Sequence, residues 1–447
     1  MSSTAQKQDL TQGSLWSRIF LFSVPLVFSN LLQVVFNLAD IAVVGQFVGS
    51  LALGAVGSTT ILISMFTGFF IGLAGGINVL TARHFGARST QTLQDTIHSA
   101  ALVSLTLGFM MMGLGLGFSR WVLTLLGTKP ELLDGALLYF RIYLLGMPAL
   151  ALYNFGNAVF SAVGDPQRPV RYLTIAGILN VILNLFFVLV CRMEVAGVAL
   201  ASILSQYLSA FLVVRALFLS KNEYAMRFPQ LRLHRDRTKD ILAIGLPGGL
   251  QNCVFAVANL FTQSAINTFD AITVAGISAA ANADTIIYDV MAAFYTTCGS
   301  FMGQNYGARK KQRVLKSYLI SLFYAFAVGA ALGLLVLIFG ETFLGFFTPD
   351  PAVVTQGMQR LSIMGLCYGF SALMDTSIAA SRALGKSLVP SVVVILGSCV
   401  FRIVWIETIF AHYGTIASLF LLYIVSWTLT GLAELWYFAR TYRRTLC

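Results

Sequence analysis

About twelve apolar stretches of 20 or more residues dominate the chain, near 15–44, 51–82, 93–119, 132–160, 169–190, 195–219, 240–267, 272–304, 314–340, 354–381, 388–410 and 414–439. Each is long enough to cross the roughly 30 Å hydrocarbon core of a bilayer. In lipid every backbone polar group must be satisfied internally, so only helices and closed barrels span it, and apolar runs without strict alternation are helices. Composition agrees: 57% of the residues are hydrophobic and 11% are charged, against about 25% charged in soluble domains. The expectation is an all-α polytopic membrane protein of about 12 transmembrane helices.

The net charge of +11 is informative through its placement. With the N-terminus in the cytoplasm, 23 of the 29 Lys and Arg residues fall on the inner side: Lys7, Arg18, Arg83, Arg88, Arg168, Arg171, seven in 215–239, five in 309–316, Arg382, Lys386, Arg440, Arg443 and Arg444. Outer loops hold only Arg120, Lys129 and Arg192, while Arg141, Arg360 and Arg402 fall within spans. The positive-inside rule then puts both termini in the cytoplasm of a multi-pass protein of the bacterial inner membrane. Basic charge here sets orientation and is no nucleic-acid footprint. The first 14 residues are polar and no small-residue cleavage site follows a short apolar core, so span one is read as the first anchor. Six scattered cysteines without a C-x-x-C pair and four scattered histidines point to neither a redox nor a metal centre.

The longest polar segment, 215–240, falls near the midpoint. Sliding one half onto the other by 221–222 residues matches Pro25 with Pro247, Asn30 with Asn252, Asn37 with Asn259, HFGAR (84–88) with NYGAR (305–309), Gly164 with Gly385 and Pro169 with Pro390. The chain therefore reads as a duplication: an N-terminal lobe 1–219, a cytoplasmic linker 220–239 and a C-terminal lobe 240–447. Six spans per lobe is an even number, so both lobes enter the membrane from the same side, related by a pseudo-twofold along the membrane normal. Parallel repeats of this kind are characteristic of secondary transporters. Pro25 and Pro247 are candidate hinges, each able to loosen its helix.

Polar residues inside the spans mark candidate sites. In span one, Asn30, Gln33, Asn37 and Asp40 recur at spacings of three and four, on one helix face. Span five carries Asn180 and Asn184, and span six carries Ser202. Depth counting at about 1.5 Å per residue brings Asp40, Asn37, Asn180, Asn184 and Ser202 to a similar level of the outer half. Oxygen ligands around one carboxylate suit a proton or a hard cation such as Na⁺. The alternative is a polar knot that holds helices together.

The second half keeps the asparagines and loses the acid. Thr262 aligns with Asp40, and Arg402 stands near the position of Asn180. A fixed cation there repels a bound one, so Arg402 reads as structural, with Asp284, Asp289 or Glu407 as candidate partners. Asp284 and Asp289 sit near mid-depth and Asp375 nearer the cytoplasm. Arg141 and Arg360, two turns into related spans, are read as reaching outward to the interface. The glycines of GFFIGLAGG (68–76) are read as close helix packing, since the segment lacks the Gly-Lys-Ser/Thr of a phosphate loop.

These features resemble the multidrug and toxic compound extrusion (MATE) family, in its bacterial NorM/DinF-like branch. The segments that carry the resemblance are LADIAVVGQFVGSLALGAVGS, FGAR, GMPALALYNFGNAVFSAVGDPQRP, GILNVILNLFFV, GVALAS, GLPGGLQN, GQNYGAR and RIVWIETIF. The resemblance implies two six-helix lobes about a V-shaped cleft, and antiport of organic compounds against Na⁺ or H⁺. It assigns Asp40 to the family's span-one acid and Asn180 to the first position of an N-x-x-x-D pair, whose second position is here Asn184. Ser202 stands where family members often have threonine. The glutamate that some members carry early in span seven is absent from QNCVFAVAN. Asp284 and Asp375 match positions acidic in many related bacterial sequences.

The reading is an ion-coupled exporter of amphipathic, cationic compounds working by rocking alternating access as a monomer, with no cofactor beyond the coupling ion. Asp40 carries the coupling charge, and the missing second carboxylate favours H⁺ over Na⁺. Asp284, Asp289, Tyr288, Gln251, Asn259, Phe294 and Asp375 are the expected lining of a substrate cavity. A lipid-linked saccharide flippase of the same superfamily is the alternative. An intramembrane enzyme would want a His cluster, a Ser–Lys or Ser–His pair or paired aspartates, and none is apparent.

Overall fold

The computed structural model describes residues 9–365 and 367–446; Lys7 and Cys447 lie outside them. The described residues form fourteen helices: α1 Leu15–Val48, α2 Ser50–Gly86, α3 Thr90–Leu125, α4 Pro130–Leu144, α5 Met147–Ala162, α6 Gln167–Val190, α7 Glu194–Leu219, α8 Arg235–Ile266, α9 Ala271–Gly307, α10 Lys311–Gly345, α11 Pro351–Met364, α12 Tyr368–Ala383, α13 Leu388–Tyr413 and α14 Ile416–Leu446. Ten are long and apolar enough to cross a membrane singly, and α4–α5 and α11–α12 bring the total to twelve if each pair counts as one span. The 37 residues of α2 and of α9 span about 55 Å at 1.5 Å per residue, so their ends emerge from the hydrocarbon.

Spans four and ten, expected as single helices, are broken. The axes of α4 and α5 meet at 47°, and those of α11 and α12 at 49°. The causes differ. Pro148 has no amide to offer Leu144 four residues back, which opens the ladder there. The second break has no proline. Gly365 packs instead against the backbone of Gly333 on α10, where an added Cβ would come within 3.0 Å of the Gly333 carbonyl oxygen.

The burial pattern is that of a protein dissolved in lipid. Large side chains such as Leu21, Leu51, Trp121, Ile338 and Trp436 stay exposed, while serines and threonines lie inside. Small residues let helices approach and bond through hydroxyls: Ser23 on α1 meets Thr297 on α9 at 2.8 Å. The glycines of 68–76 serve close packing as expected, since a Cβ on Gly76 would lie 2.6 Å from the Gly245 backbone.

The duplication is visible in the backbone. α2 and α9 both end at the glycine of their GAR tripeptide, and the arginines that follow, Arg88 (φ 54°) and Arg309 (φ 58°), are left-handed. The next amides close the same cap, Ser89 N–H to the His84 carbonyl at 3.2 Å and Lys310 N–H to the Asn305 carbonyl at 2.9 Å. Gly164 and Gly385 likewise both have positive φ.

The chain forms two compact units, and their borders do not fall at the midpoint linker. One unit holds Phe28–Gly249; the other holds Leu10–Val27 together with the chain from Leu250 onward. The N-terminal third of α1 thus belongs with the second half, and the N-terminal half of α8 with the first. Pro25 and Pro247 each lie inside their helix, two residues before the border. At the start of α1 the second unit holds the chain by polar bonds. Gln304 accepts from Leu10 N–H at 3.1 Å, Lys310 donates to the Thr11 carbonyl at 2.8 Å, and Arg313 donates to the Gly13 carbonyl at 2.9 Å.

Candidate functional site

In the first unit three helices converge on Asp40. The side-chain amide of Asn184 on α6 donates to one carboxylate oxygen, and the Ser202 hydroxyl on α7 lies 3.1 Å from the other. Asn184 also donates to Asn180 Oδ1 at 3.3 Å, so the amide one turn earlier orients it. Ser202 Oγ is 3.0 Å from the Val198 carbonyl as well. One hydroxyl hydrogen serves only one acceptor at a time, so Ser202 can exchange between its own helix and Asp40. The carbonyl oxygen of Asn184 is buried and has no hydrogen-bond partner. An apolar group built from Val43, Val44, Val56, Val188, Val195 and Val198 packs together with Tyr139 beside the site. The arrangement is a carboxylate with donors on both oxygens and a spare acceptor next to it.

Of the five residues expected here, the structure brings together Asp40, Asn180, Asn184 and Ser202. Asn37 stands apart: it is exposed and makes no bond to Asp40. The reason is its neighbour. The Phe36 ring presses on α6 at Gly177, so closely that a Cβ on Gly177 would fall inside it. At about 100° per residue Asn37 is turned away from that contact. Sequence reasoning missed Tyr139 and Tyr143 on α4, whose stacked rings (6.2 Å apart) lie within electrostatic range of Asp40. The available signal was two tyrosines at i and i+4 on one face of an apolar span.

The residues expected to line a substrate cavity are scattered in role. Asp284 on α9 is bound by Arg360 of α11 and by the Tyr368 hydroxyl of α12. Arg360 also donates to the Ile277 carbonyl at 2.7 Å and lies over the Phe420 ring at 4.6 Å. Asp284 is thus the counter-ion of Arg360, and Arg360, only 6% exposed, does not reach outward as expected. Pairing with a carboxylate offsets the cost of burying a guanidinium, and Asp284 supplies that pairing for Arg360. Arg141, its relative in the first half, is exposed and donates to Ser119 at 3.1 Å.

Phe294 is buried and stacks on Tyr324 at 5.9 Å, as part of the core. Gln251 is buried and accepts from Arg382 at 2.8 Å. Asn259 is exposed and accepts from Arg402 at 3.0 Å. Arg402 lies over the rings of Phe255 and Tyr423, at 5.3 and 4.5 Å. An amide and two aromatic faces thus solvate it, while Asp284 is held by Arg360 and Glu407 is exposed. Tyr288 is 46% exposed, with its ring 6.4 Å from Tyr295; Asp289 and Asp375 are partly buried, and Asp375 Oδ2 has no partner.

The MatE family model matches residues 25–186 and 247–406, once in each half. A probable multidrug resistance protein of Bacillus subtilis, YpnP, is 29% identical over 383 residues, covering 85% of either chain. An FAD transporter of Shewanella oneidensis is 25% identical over 340 residues, covering 75% of each. Among solved structures, an outward-facing MATE family transporter of the MOP superfamily superposes with a TM-score of 0.90. It is 22% identical, over 100% of this chain and 99% of that one.

Proposed function

This chain belongs to the MatE family of multidrug efflux transporters, and we propose that it is a proton-coupled antiporter in which Asp40 carries the exchanged proton. Its cargo is an amphipathic organic cation, moved by rocking alternating access, and the protein works as a monomer in the bacterial inner membrane with both termini in the cytoplasm. The Lys/Arg bias of the loops supports that orientation.

The observation that carries the reading is the setting of Asp40. It is a carboxylate within an apolar span, bonded to Asn184 and Ser202 on two other helices of its unit. Loading it with a proton changes the partners it can keep: the ionised form accepts from both donors, whereas the neutral form has a hydrogen to donate, and Asn184 Oδ1 is the idle acceptor nearby. A two-state change in three helices is what coupling requires. A proton suits the site better than Na⁺. The Asn184 amide and the Ser202 hydroxyl both point hydrogens at Asp40, and a cation would need oxygens there.

The test uses purified protein in sodium-free liposomes, with an imposed pH gradient and ethidium as probe. Wild-type protein should accumulate the dye, and Asp40→Asn should fall to the level of empty liposomes while remaining monodisperse. Export by Asp40→Asn at the wild-type rate, or a strict sodium requirement, overturns the assignment. Movement of a lipid-linked saccharide without dye transport would favour the flippase.

A further inference from the structure

Outside the Asp40 site, the most anomalous group in the molecule is Glu434. It sits on α14 with no exposed surface, and neither carboxylate oxygen has a hydrogen-bond partner. One turn earlier, Gly431 lets α14 close onto α12: a Cβ there would stand 3.2 Å from the Met374 amide nitrogen. The next residue of α12 is Asp375, with a buried and unpartnered Oδ2; two turns on is Arg382, whose Nε is buried and unpartnered. Arg382 is within electrostatic range of both acids and within 4.0 Å of neither; its bonds go to Gln251 at 2.8 Å and Ser391 at 3.3 Å. The other charged or titratable groups facing the cluster are Tyr288, Asp289 and Tyr295 on α9, and Arg402, which Asn259 holds. At the matching positions the first half has Asn154, Ser161 and Leu212, all uncharged.

Two carboxylates and one guanidinium leave one negative charge in excess. An ionised carboxylate without hydrogen-bond donors is among the costliest groups to bury. We propose that Glu434 is a proton-binding site of the second unit, holding a proton while Arg382 stays with Gln251 and Ser391 and releasing it to water when Arg382 turns to it. The release is a simple dissociation: the Glu434 O–H bond breaks, the electron pair stays on the carboxylate, and the guanidinium neutralises it. Arg382 bonds to α8 and α13, so a shift of either helix against α12 is what frees it. The site therefore loads and unloads with helix movement in the second unit, independently of Asp40.

Infrared spectroscopy of the purified full chain tests this, because a protonated carboxyl has a carbonyl stretch that a carboxylate lacks. The Asp40→Asn background removes any contribution from Asp40, so the outcome does not depend on its role in coupling. The expected spectrum at neutral pH contains a protonated-carboxyl band that shifts when glutamate is labelled with heavy carbon. Glu434→Gln should abolish that band, Asp375→Asn should weaken it, because one guanidinium then balances one carboxylate, and Arg382→Gln should roughly double the protonated-carboxyl signal. A band insensitive to glutamate labelling, no band at all, or one that survives Glu434→Gln overturns the proposal. The labelling arm needs no substitution at Glu434 and stands even if that variant does not fold.

Discussion

Asp40 with its neighbours in the first unit and Arg402 with its neighbours in the second occupy matching places in a duplicated design and carry opposite charges. Asp40 is held by an amide and a hydroxyl that can let go. Arg402 is 3% exposed, bonded to Asn259 and packed over the rings of Phe255 and Tyr423. The aspartate's own position became Thr262, which bonds only to its helix, to the Ala258 carbonyl at 3.5 Å. A guanidinium keeps its proton at any physiological pH. The Asp40 site thus carries a charge that a proton can remove, and the matching place in the second half carries a guanidinium. Duplication supplied the scaffold twice, with different charges at matching places.

The comparison breaks most visibly if a charge in the second unit is removed without its partner. Asp284→Asn leaves the buried Arg360 unpaired and should destabilise the protein by about 3–5 kcal/mol. Thermal unfolding in detergent reads this directly, and the double variant Asp284→Asn with Arg360→Met should recover most of the loss. Asp40→Asn, by contrast, should change the melting temperature little, since an amide is cheaper to bury than a carboxylate. If Asp284→Asn melts like wild type and changes only substrate preference, Asp284 belongs to the cargo pathway and not to Arg360.

Ser202→Ala sharpens the comparison further. It removes one of two donors to Asp40, an interaction worth about 1 kcal/mol, so dye export should slow about fivefold and persist. Asn37→Ala should alter export by less than about twofold, because Asn37 makes no bond to the carboxylate; a loss as large as that of Ser202→Ala would put it back in the site. The smallest effect tests the symmetry itself. Arg88→Gly and Arg309→Gly each relieve a left-handed backbone and should stabilise by about 0.5 kcal/mol in equal measure. Unequal shifts in melting would mean that the two caps are not equivalent.

Much of this was legible in the residues. Span positions follow from apolar length, and the duplication from Pro25 and Pro247 and the two GAR tripeptides. Asp40, Asn180, Asn184 and Ser202 stood out because a polar group in an apolar run needs a reason. What sequence concealed was pairing at long range and rotation about helix axes. Asp284 and Arg360 are 76 residues apart, and nothing local distinguishes a counter-ion from a cargo ligand. Asn37 shares a face with Asp40 by counting, yet Phe36 against Gly177 decides which side of α1 meets α6. The break at Gly365 depends on the backbone of Gly333 and has no sequence mark like Pro148. Glu434 carries no mark in the sequence, because its burial depends on the close approach of α14 to α12 at Gly431.

The border within α1 also has a consequence for biosynthesis. Leu10–Val27 belongs with residues that begin at Leu250, so 223 positions separate the end of that segment from the start of its partners. At about 5–20 residues per second a ribosome needs roughly 10–45 s to make them. Throughout that interval this segment waits in the membrane with its unit incomplete. Its polar groups must be satisfied locally, as Ser23 can be by the Ile19 carbonyl at 2.9 Å, until Thr297 arrives. The first half has no such delay, since Gly249 completes it soon after it is made. Completion of the second unit therefore depends on a helix segment translated long before the rest of that unit.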